Sequence, residues 1–374
     1  MKKKIIKKIF VCATEQSGDN IGSIFIKELV KKNKFLKIDG VGGSKMKPYM
    51  RNQIYSIENF KSLGIVEVIL SINKYLTMIN KLSKFVFKNN YDLIITIDSP
   101  DFNYPLVKKI RKNGYKNKIV QIVAPTVWAW RKYRAKKFAE IFDEILTLFP
   151  FEKKYFSYDN INVTCIGHPV YYLKNYQHIY KNKNLIAFLP GSRIGEVKSL
   201  LKYYDLAYEQ LIEKNLNYQI FIPTIPHLKK FLYHHTKKWK IKTIITTDIK
   251  NIDKHFKKTK FALVCSGTAS LEVAKRGIPQ LVIYKLNIIT EFIIKFIVKV
   301  KFANIINIVE NKVIIPELIN SKLTKNNFKS NFNDLISNDH INKMQIKAVK
   351  KFFNKIELNK APHIIINNRI KKNL

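Results

Sequence analysis

Residues 93–103 read LIITIDSPDFN, an apolar run that ends abruptly in polar residues and a proline. Short apolar runs of this kind alternate along the chain with stretches of helical spacing, as at 24–30, 104–112 and 199–211. Such alternation predicts an α/β protein with parallel sheets covered by helices on both faces. The predicted strands form two sets and indicate two Rossmann-like halves: 5–13, 93–97, 119–123, 145–148 and 163–166, then 185–189, 220–222, 243–246, 261–265 and 280–284.

The composition excludes a wholly disordered chain. Of the 374 residues, 46% are apolar and 12% aromatic, enough for large cores in two domains of ordinary size. Lys and Arg number 68 against 27 Asp and Glu, a formal net charge of +41, yet only seven of the 68 are Arg. Proteins that read nucleic acid favour Arg forks. A bias towards Lys, Ile and Asn therefore explains the charge better than nucleic-acid binding does, and an anionic membrane surface stays open.

The three cysteines indicate a reducing compartment. Cys12, Cys165 and Cys265 are isolated and each closes an apolar run, as buried free thiols do. Segment 1–10 is basic, but its apolar stretch is too short for a signal peptide and runs into Glu15. No apolar run reaches the roughly 18 residues of a membrane span. The sequence therefore predicts a cytosolic protein that does not cross a bilayer.

Acidic side chains follow the predicted strands of the first half, where ligands bind in sheets of this class. Asp98 directly follows strand 93–97, and partial desolvation there suits a general base. Asp101 either caps the next helix, which we favour, or supports the base. Glu15 is a candidate for contacts with substrate hydroxyls or the cleft. His168, in a Gly-His-Pro loop, is either structural or cleft-lining.

Two turns of the second half have the composition of anion sites. Residues 190–196 read PGSRIGE, and there a glycine, a helix start and Arg193 can all meet phosphate oxygens. Residues 266–272 read SGTASLE, where small residues admit a diphosphate and Glu272 can hold two ribose hydroxyls. Each turn alone also fits an ordinary capped helix, but two in one half favour a nucleotide sugar. They lack the GxGxxG and GK[ST] patterns, which argues against NAD and ATP. The candidates are Gly191, Ser192, Arg193, Glu196, Ser266, Gly267, Thr268 and Glu272.

Two apolar stretches fit either a core or a membrane surface. Ile65, Ile69, Ile72, Leu76 and Ile79 recur every three or four residues and form one helical face flanked by lysines. Residues 288–302 are apolar apart from a charge every four residues. Faces of this kind are usually buried, but lysine-edged ones also lie on bilayers.

In their order, the motifs resemble those of the lipid-A-disaccharide synthase family over nearly the whole chain. The DSPDFN motif at 98–103 and the PTVWAWR motif at 125–131 are the most specific. The others are ATEQSGD at 13–19, GGSKM at 42–46, LGIVEV at 63–68, PFE at 150–152, GHP at 167–169, the two turns, Asn307 and PEL at 316–318.

The resemblance implies an inverting GT-B glycosyltransferase with two Rossmann-like domains facing a cleft. The expected domains are 1–172, joined by C-terminal helices at about 343–374 that cross back, and 173–342. The family reaction transfers the sugar of UDP-2,3-diacylglucosamine to the 6-hydroxyl of 2,3-diacylglucosamine 1-phosphate, giving a β-1,6 disaccharide and UDP. No cofactor and no metal are implied, since Arg193 and helix termini can neutralise the leaving diphosphate.

The resemblance also assigns roles to residues. Asp98 is the expected base, with Glu15 and Asp101 in support. Ser17, Gly18, Asn307 and Glu317 join the turn residues in the expected UDP-sugar site. The expected acceptor side or cleft comprises Asn103, Trp128, Trp130, Arg131 and His168.

Because both substrates carry acyl chains, the protein is expected at the cytoplasmic face of the bacterial inner membrane as a peripheral monomer or homodimer. Helix 65–86 is the preferred membrane contact, while 288–302 fits core and membrane equally. Nucleic acid is not an expected partner. Two alternatives stay open: another GT-B UDP-sugar enzyme, which should lack the 98–103 and 125–131 motifs, and a non-enzymatic basic protein that binds membrane or nucleic acid. The second would not need acidic groups at several strand ends.

Overall fold

The structure is a computed structural model of the chain, and it describes residues 7–60, 65–128, 131–176, 183–265, 267–285 and 302–371. The chain divides into two compact units. The first comprises Met1–Pro169 and Leu358–Leu374, and the second comprises Val170–Glu357.

A parallel sheet of seven strands forms the centre of the first unit. Its strands are β1 (Lys8–Ala13), β2 (Lys37–Gly42), β3 (Asn52–Ser56), β4 (Leu93–Ile97), β5 (Lys118–Ile122), β6 (Glu144–Thr147) and β7 (Asn162–Cys165). Their order across the sheet is β3-β2-β1-β4-β5-β6-β7. The carboxyl ends of β1, β4 and β5 therefore lie side by side, although the segments are far apart in sequence.

Helices cover both faces of this sheet, as its apolar strands require. They are α1 (Gln16–Lys32), α2 (Ile65–Asn89), α3 (Pro100–Lys112) and α4 (Arg134–Ala139). On one face Leu82 of α2 and Leu106 of α3 join the core, and on the other Phe25 and Leu29 of α1 do so.

The second unit is built on a parallel sheet of six strands. They are β8 (Leu185–Leu189), β9 (Gln219–Pro223), β10 (Thr243–Thr246), β11 (Thr259–Cys265), β12 (Gln280–Tyr284) and β13 (Glu317–Ile319), in the order β10-β9-β8-β11-β12-β13. The helices are α5 (Ile194–Glu213), α6 (Pro226–Thr236), α7 (Ile249–Lys257), α8 (Thr268–Lys275), α9 (Ile305–Glu310), α10 (Lys325–Ser337) and α11 (Asp339–Ile356). Asp248, Thr324 and Asn338 accept backbone N–H groups at the starts of α7, α10 and α11, which fixes where these helices begin.

The last helix, α12 (Pro362–Lys371), belongs to the first unit and packs on α1. Arg369 of α12 donates to Glu144 of β6 over 2.6 Å, and Lys118 lies 2.7 Å from the same carboxylate. The chain returns to the first unit at Leu358, later than the predicted position of about 343. Before that point α11 is tied to the second unit, because Gln345 exchanges hydrogen bonds of 2.8 and 3.0 Å with the backbone of Gln280.

Each predicted strand is present, but β2, β3 and β13 were not predicted. β2 reads KIDGVG and contains an acidic residue, Asp39. This residue is fully buried and accepts hydrogen bonds from Arg51 and Tyr91. Burial alone would raise the pKa of Asp39, but these partners outweigh it and lower that pKa. β2 contains a buried acid, β3 is a polar strand at the side of the sheet, and β13 has only three residues. None of them shows the apolar run from which the other strands were predicted.

Candidate active site

The first sheet brings two predicted acids to one edge. Asp98 follows β4 and Glu15 follows the adjacent β1. Ser17 Oγ donates to Asp98 Oδ2 over 2.6 Å, and Ser99 Oγ donates to Glu15 Oε1 over 3.1 Å. The backbone N–H of Ser99 donates to Asp98 Oδ1 over 2.9 Å, so both carboxylate oxygens of Asp98 are held. Asp98 is half-buried and Glu15 is exposed.

The backbone at this point is strained. Asp98 has φ +56° and Ser99 has φ +44°, a left-handed conformation that costs non-glycine residues roughly 1–3 kcal/mol each. Asn103, in the first turns of α3, donates its amide N–H to the carbonyl of Asp98 over 2.8 Å. Asn103 is fully buried and supports Asp98 from below, and its expected place at the acceptor side or the cleft stays a prediction.

Asp101 has a different environment from Asp98. It lies in the first turn of α3 with a side chain that is 70% exposed, and it accepts hydrogen bonds from Arg131 over 3.3 Å and from Arg134. Arg131 itself has φ +53°. Asp101 therefore joins the end of the PTVWAWR motif to the start of α4. Trp130 of that motif lies outside the described residues.

The start of α1 packs closely on the sheet. A Cβ on Gly18 would lie 3.0 Å from Ala13 Cβ and 3.2 Å from the carbonyl of Ile97. Asp19 is fully buried and accepts the backbone N–H groups of Gly43 and Met46 at 2.8 and 3.0 Å. Gly18 therefore brings α1 close to β4, and Ser17 reaches Asp98 as a result.

A buried acid that the sequence did not single out lies at the end of β6. Glu152 accepts the Trp128 indole N–H over 3.1 Å and the backbone N–H groups of Leu148 and Phe149, both over 2.9 Å. Burial raises the pKa of Glu152 to about 7, although these hydrogen bonds oppose the effect. His168 stacks on Phe149 with ring centroids 5.5 Å apart, and burial lowers the pKa of His168 to about 4. The only sequence signal for Glu152 was its place in the PFE motif.

In the second unit the two predicted turns follow the neighbouring strands β8 and β11. Gly191 and Gly267 have φ +110° and +128°, conformations that favour glycine. Arg193 precedes α5 with a side chain 75% exposed, and it donates to Glu196 over 2.9 Å. A Cβ on Gly191 would lie 3.4 Å from Cys265 Sγ at the end of β11, so the two turns are close in space. Burial raises the pKa of Cys265 to about 12, and the Glu196 carboxylate adds to the effect. Ser192 and Thr268 are exposed, and Ser266 lies outside the described residues.

Glu272 lies one turn into α8 and is partly exposed. Arg276, four residues later, approaches Glu272 Oε2 to 3.6 Å. Burial raises the pKa of Glu272, and the charge of Arg276 opposes the rise. A carboxylate at this position can accept hydrogen bonds from hydroxyl groups while the Arg276 guanidinium balances its charge.

Asn307 and Glu317, which the sequence assigned to the UDP-sugar site, are engaged with backbone. Asn307 is fully buried, donates to the carbonyl of Ile315 over 2.7 Å and accepts the N–H groups of Ile314 and Ile315. Glu317 accepts the N–H groups of Ala303 and Asn304, the latter over 2.8 Å. Both residues hold the chain around α9 in this structure.

The predicted apolar face of α2 divides in two. Ile72 and Leu76 are 47% and 51% exposed, whereas Ile79 is 6% exposed, which corrects its assignment as a membrane contact. Ile79 is covered because α2 packs there against Phe102 of α3 and the rest of the core. The side chains of Ile65 and Ile69 and nearly all of 288–302 lie outside the described residues. Within the described ranges no helix is long and apolar enough to cross a membrane, and no group of three or more His, Cys, Asp or Glu could hold a metal ion.

Solved structures identify the class of the fold. The chain matches MurG of Acinetobacter baumannii with a TM-score of 0.61 over 98% of this chain and 99% of that one, at 14% identity. It matches a UDP-GlcNAc 2-epimerase from Neisseria meningitidis, solved with UDP-GlcNAc bound, with a TM-score of 0.64 over 97% and 99%, also at 14% identity. At this identity the likeness concerns the fold alone, and the fold is GT-B.

Sequence comparison narrows this fold class to one family. The lipid-A-disaccharide synthetase family model matches residues 9–365. A lipid-A-disaccharide synthase of Rickettsia typhi is 31% identical across 98% of this chain and 99% of its own, and one of Wigglesworthia glossinidia brevipalpis is 34% identical across 93% and 92%. The chain therefore belongs to the lipid-A-disaccharide synthetase family and is a glycosyltransferase of lipid A disaccharide synthesis.

Proposed function

We propose that the protein transfers the sugar of UDP-2,3-diacylglucosamine to the 6-hydroxyl of 2,3-diacylglucosamine 1-phosphate, with inversion at the anomeric carbon. The products are the β-1,6-linked disaccharide 1-phosphate and UDP. Family membership supports a lipid A disaccharide as product. Direct displacement of an α-linked UDP accounts for the β linkage.

Such a displacement needs a base for the acceptor hydroxyl, and the proposed base is Asp98. The observation that carries the proposal is the arrangement of this carboxylate at the carboxyl edge of the first sheet. Ser17 and the N–H of Ser99 fix its two oxygens, and Glu15 is joined to the same edge through Ser99. One half-buried carboxylate held in a single orientation is what proton transfer requires.

The donor is proposed to bind the second unit. Gly267 is exposed, and a Cβ there would meet nothing within 4 Å, which leaves room for phosphate oxygens beside the start of α8. Gly191 is partly exposed, and a Cβ there would lie 3.0 Å from the Glu196 carboxylate, which a diphosphate at this turn must displace. Arg193 supplies positive charge to the departing diphosphate, and Glu272 accepts the ribose hydroxyls. Binding of a diphosphate by Arg193 requires that Glu196 release part of its hold on the guanidinium.

The acceptor is proposed to contact the loop after β5, with Trp128 and Arg131, and the adjacent His168. Trp128 is oriented by Glu152 and Arg131 by Asp101, so both side chains are held before a substrate arrives. The N-terminal half of α2, with exposed Ile72 and Leu76, is the proposed contact with the membrane that holds both lipid substrates. This contact would attach the protein peripherally, and the family resemblance implies the cytoplasmic face.

The test is a reconstituted reaction in mixed detergent micelles. The protein is incubated with UDP-2,3-diacylglucosamine and the monosaccharide 1-phosphate, and UDP and disaccharide are quantified by mass spectrometry. Coupling constants of the product establish the anomeric configuration and the linkage position. Unacylated UDP-glucosamine serves as the matched control donor, because it tests the acyl requirement separately from nucleotide binding. An intact protein that yields no disaccharide, or that returns an epimerised donor, contradicts the proposal.

A further inference from the structure

A glutamine that no sequence motif indicated lies directly behind the proposed base. Gln121 is on β5, next to β4, and its side chain is fully buried. Its amide nitrogen donates to the carbonyl of Asp98 over 3.1 Å and to that of Val123 over 3.0 Å. The carbonyl of Ile122 is also within 3.1 Å of this nitrogen.

The orientation of the Gln121 amide is dictated by its surroundings. Thr96 Oγ1 donates to Gln121 Oε1 over 2.5 Å, and the three groups on the other side are carbonyl oxygens, which only accept. A flipped amide would put an oxygen against three oxygens. Gln121 and Thr96 are fully buried, and the bonds to the carbonyls of Asp98 and Val123 are partly buried, so loss of the amide removes a hydrogen-bond donor from carbonyl groups beside the sheet.

Gln121 connects two strained positions. Asp98 has φ +56°, and Val123, which is β-branched, has φ +68°. Left-handed backbone at a β-branched residue persists only where the surroundings enforce it. Gln121 holds the carbonyl of both residues, and Asn103 provides the second amide on the carbonyl of Asp98.

We propose that Gln121 is a positioning residue for the reaction, which fixes the peptide of Asp98 and thereby the direction of its carboxylate. The inference rests on the proposed function, in which Asp98 accepts the proton of the acceptor hydroxyl. Gln121 does not touch the substrate itself, because it is fully buried beneath the strand ends. Without it, the carbonyl of Asp98 keeps one amide partner and the left-handed turn can relax.

The experiment compares Gln121→Met, which keeps the length of the side chain but has no amide, with wild type, Asp98→Asn and the double variant. We expect kcat of Gln121→Met to fall roughly 10- to 100-fold, since a misplaced catalytic group costs that much. KM for the donor and the Kd of UDP should stay within about twofold, because these report ground-state binding. In the Asp98→Asn background Gln121→Met should cause no further loss, since the group that it positions is already disabled.

Gln210→Met is the matched control, because Gln210 is also buried and its amide donates to one carbonyl, that of Lys329, in the second unit. It should leave kcat unchanged. If Gln121→Met proves unfolded by circular dichroism, Thr96→Val takes its place, since it removes the hydroxyl that orients the amide with little change of shape. We expect a smaller loss of kcat in the same direction.

Two results overturn the inference and are distinguishable. If Gln121→Met lowers activity by the same factor with and without Asp98, the glutamine acts on general stability and the base assignment stands. If Asp98→Asn itself retains the wild-type rate, the base assignment falls and the inference falls with it.

Discussion

The carboxyl edges of the two sheets are built in opposite ways. In the first unit, Asp98 and Ser99 adopt left-handed backbone without being glycine, and their side chains are enclosed by hydrogen bonds. In the second unit, the left-handed positions at the corresponding edge are Gly191 and Gly267, and the neighbouring side chains of Ser192, Arg193 and Thr268 are exposed.

The difference follows from what each edge is proposed to do. Proton transfer needs one carboxylate in a fixed direction, which justifies strain and buried partners. A diphosphate needs accessible backbone N–H groups, and a side chain on either glycine would obstruct them or distort the turn. Substitutions at the first edge should therefore reduce kcat, while those at the second should reduce donor affinity.

The largest expected effect is at the first edge. Asp98→Asn removes the proposed proton acceptor while keeping the shape of the side chain, and kcat should fall roughly 10²- to 10⁴-fold. Calorimetric affinity for UDP should be unchanged, because the proposed diphosphate and ribose contacts lie in the second unit. Asp159→Asn makes the same change at an exposed site of the first unit and should have no effect. An Asp98→Asn enzyme with weakened UDP binding and normal kcat would contradict the assignment of proton transfer to the first edge and donor binding to the second.

Much of the first edge followed from the sequence, because its acids directly follow apolar runs. Asp98 directly follows β4 and Glu15 follows β1, and parallel strands place such residues on one edge. The turns of the second edge were predicted for the same reason, since glycine and small residues interrupt the pattern between β8 and α5 and between β11 and α8.

The supporting residues could not be predicted, because their roles depend on contacts between distant segments. Gln121 is one polar residue within an apolar run, and Glu152 is an ordinary acid until burial places it against Trp128. Asn307 and Asn103 were expected to face ligands, since a motif shows that a polar residue belongs at a position without showing which way it points. Ile79 was assigned to the membrane face because it has the same helical spacing as Ile72 and Leu76. Spacing alone does not reveal which part of a long apolar face is covered by α3.

Two ionisable groups near the end of β6 should make opposite contributions to pH-dependent stability. The pKa of Glu152, about 7 in the folded protein against an ordinary 4.5, means that the folded state keeps a proton that the unfolded chain has lost. Its contribution to stability therefore falls as pH rises from 4.5 to 7. The pKa of His168, about 4 against an ordinary 6.5, means that the unfolded chain binds a proton that the folded state lacks, so its contribution to stability rises as pH rises from 4 to 6.5. Each amounts to about 3 kcal/mol, so the two offset each other where the intervals overlap.

Single substitutions should expose each contribution. In Glu152→Gln the free energy of unfolding should rise with pH between 4 and 6.5, and in His168→Gln it should fall between 4.5 and 7. Urea unfolding followed by tryptophan fluorescence includes the signal of this pocket, because Trp128 donates a hydrogen bond to Glu152, while Trp239 reports on the second unit. Parallel pH profiles for the two variants would show that one of these groups is not held as the structure has it.

At the second edge, Arg193→Gln should weaken UDP and donor binding roughly 10- to 100-fold, the range for charge-assisted hydrogen bonds of about 1.5–3 kcal/mol. Stability should change little, because the ion pair with Glu196 is at the surface. Lys198→Gln removes an exposed positive charge one turn further along α5 and is the matched control. Equal losses in the two variants would indicate a diffuse charge effect and no specific phosphate contact.

The smallest effect distinguishes two glycines of the second edge. Gly195 lies in α5 without a left-handed φ, and a Cβ there would meet nothing within 4 Å, so Gly195→Ala should stabilise the second unit by about 0.5 kcal/mol. Gly267 is equally open, but its φ of +128° excludes alanine without strain, so Gly267→Ala should destabilise by about 1–2 kcal/mol and lower donor affinity. In differential scanning calorimetry, Gly195→Ala should therefore raise the melting temperature and Gly267→Ala should lower it. Since neither methyl group would clash, a shift of the same sign in both would mean that backbone conformation does not govern this edge, and the contrast with the side-chain-controlled first edge would be lost.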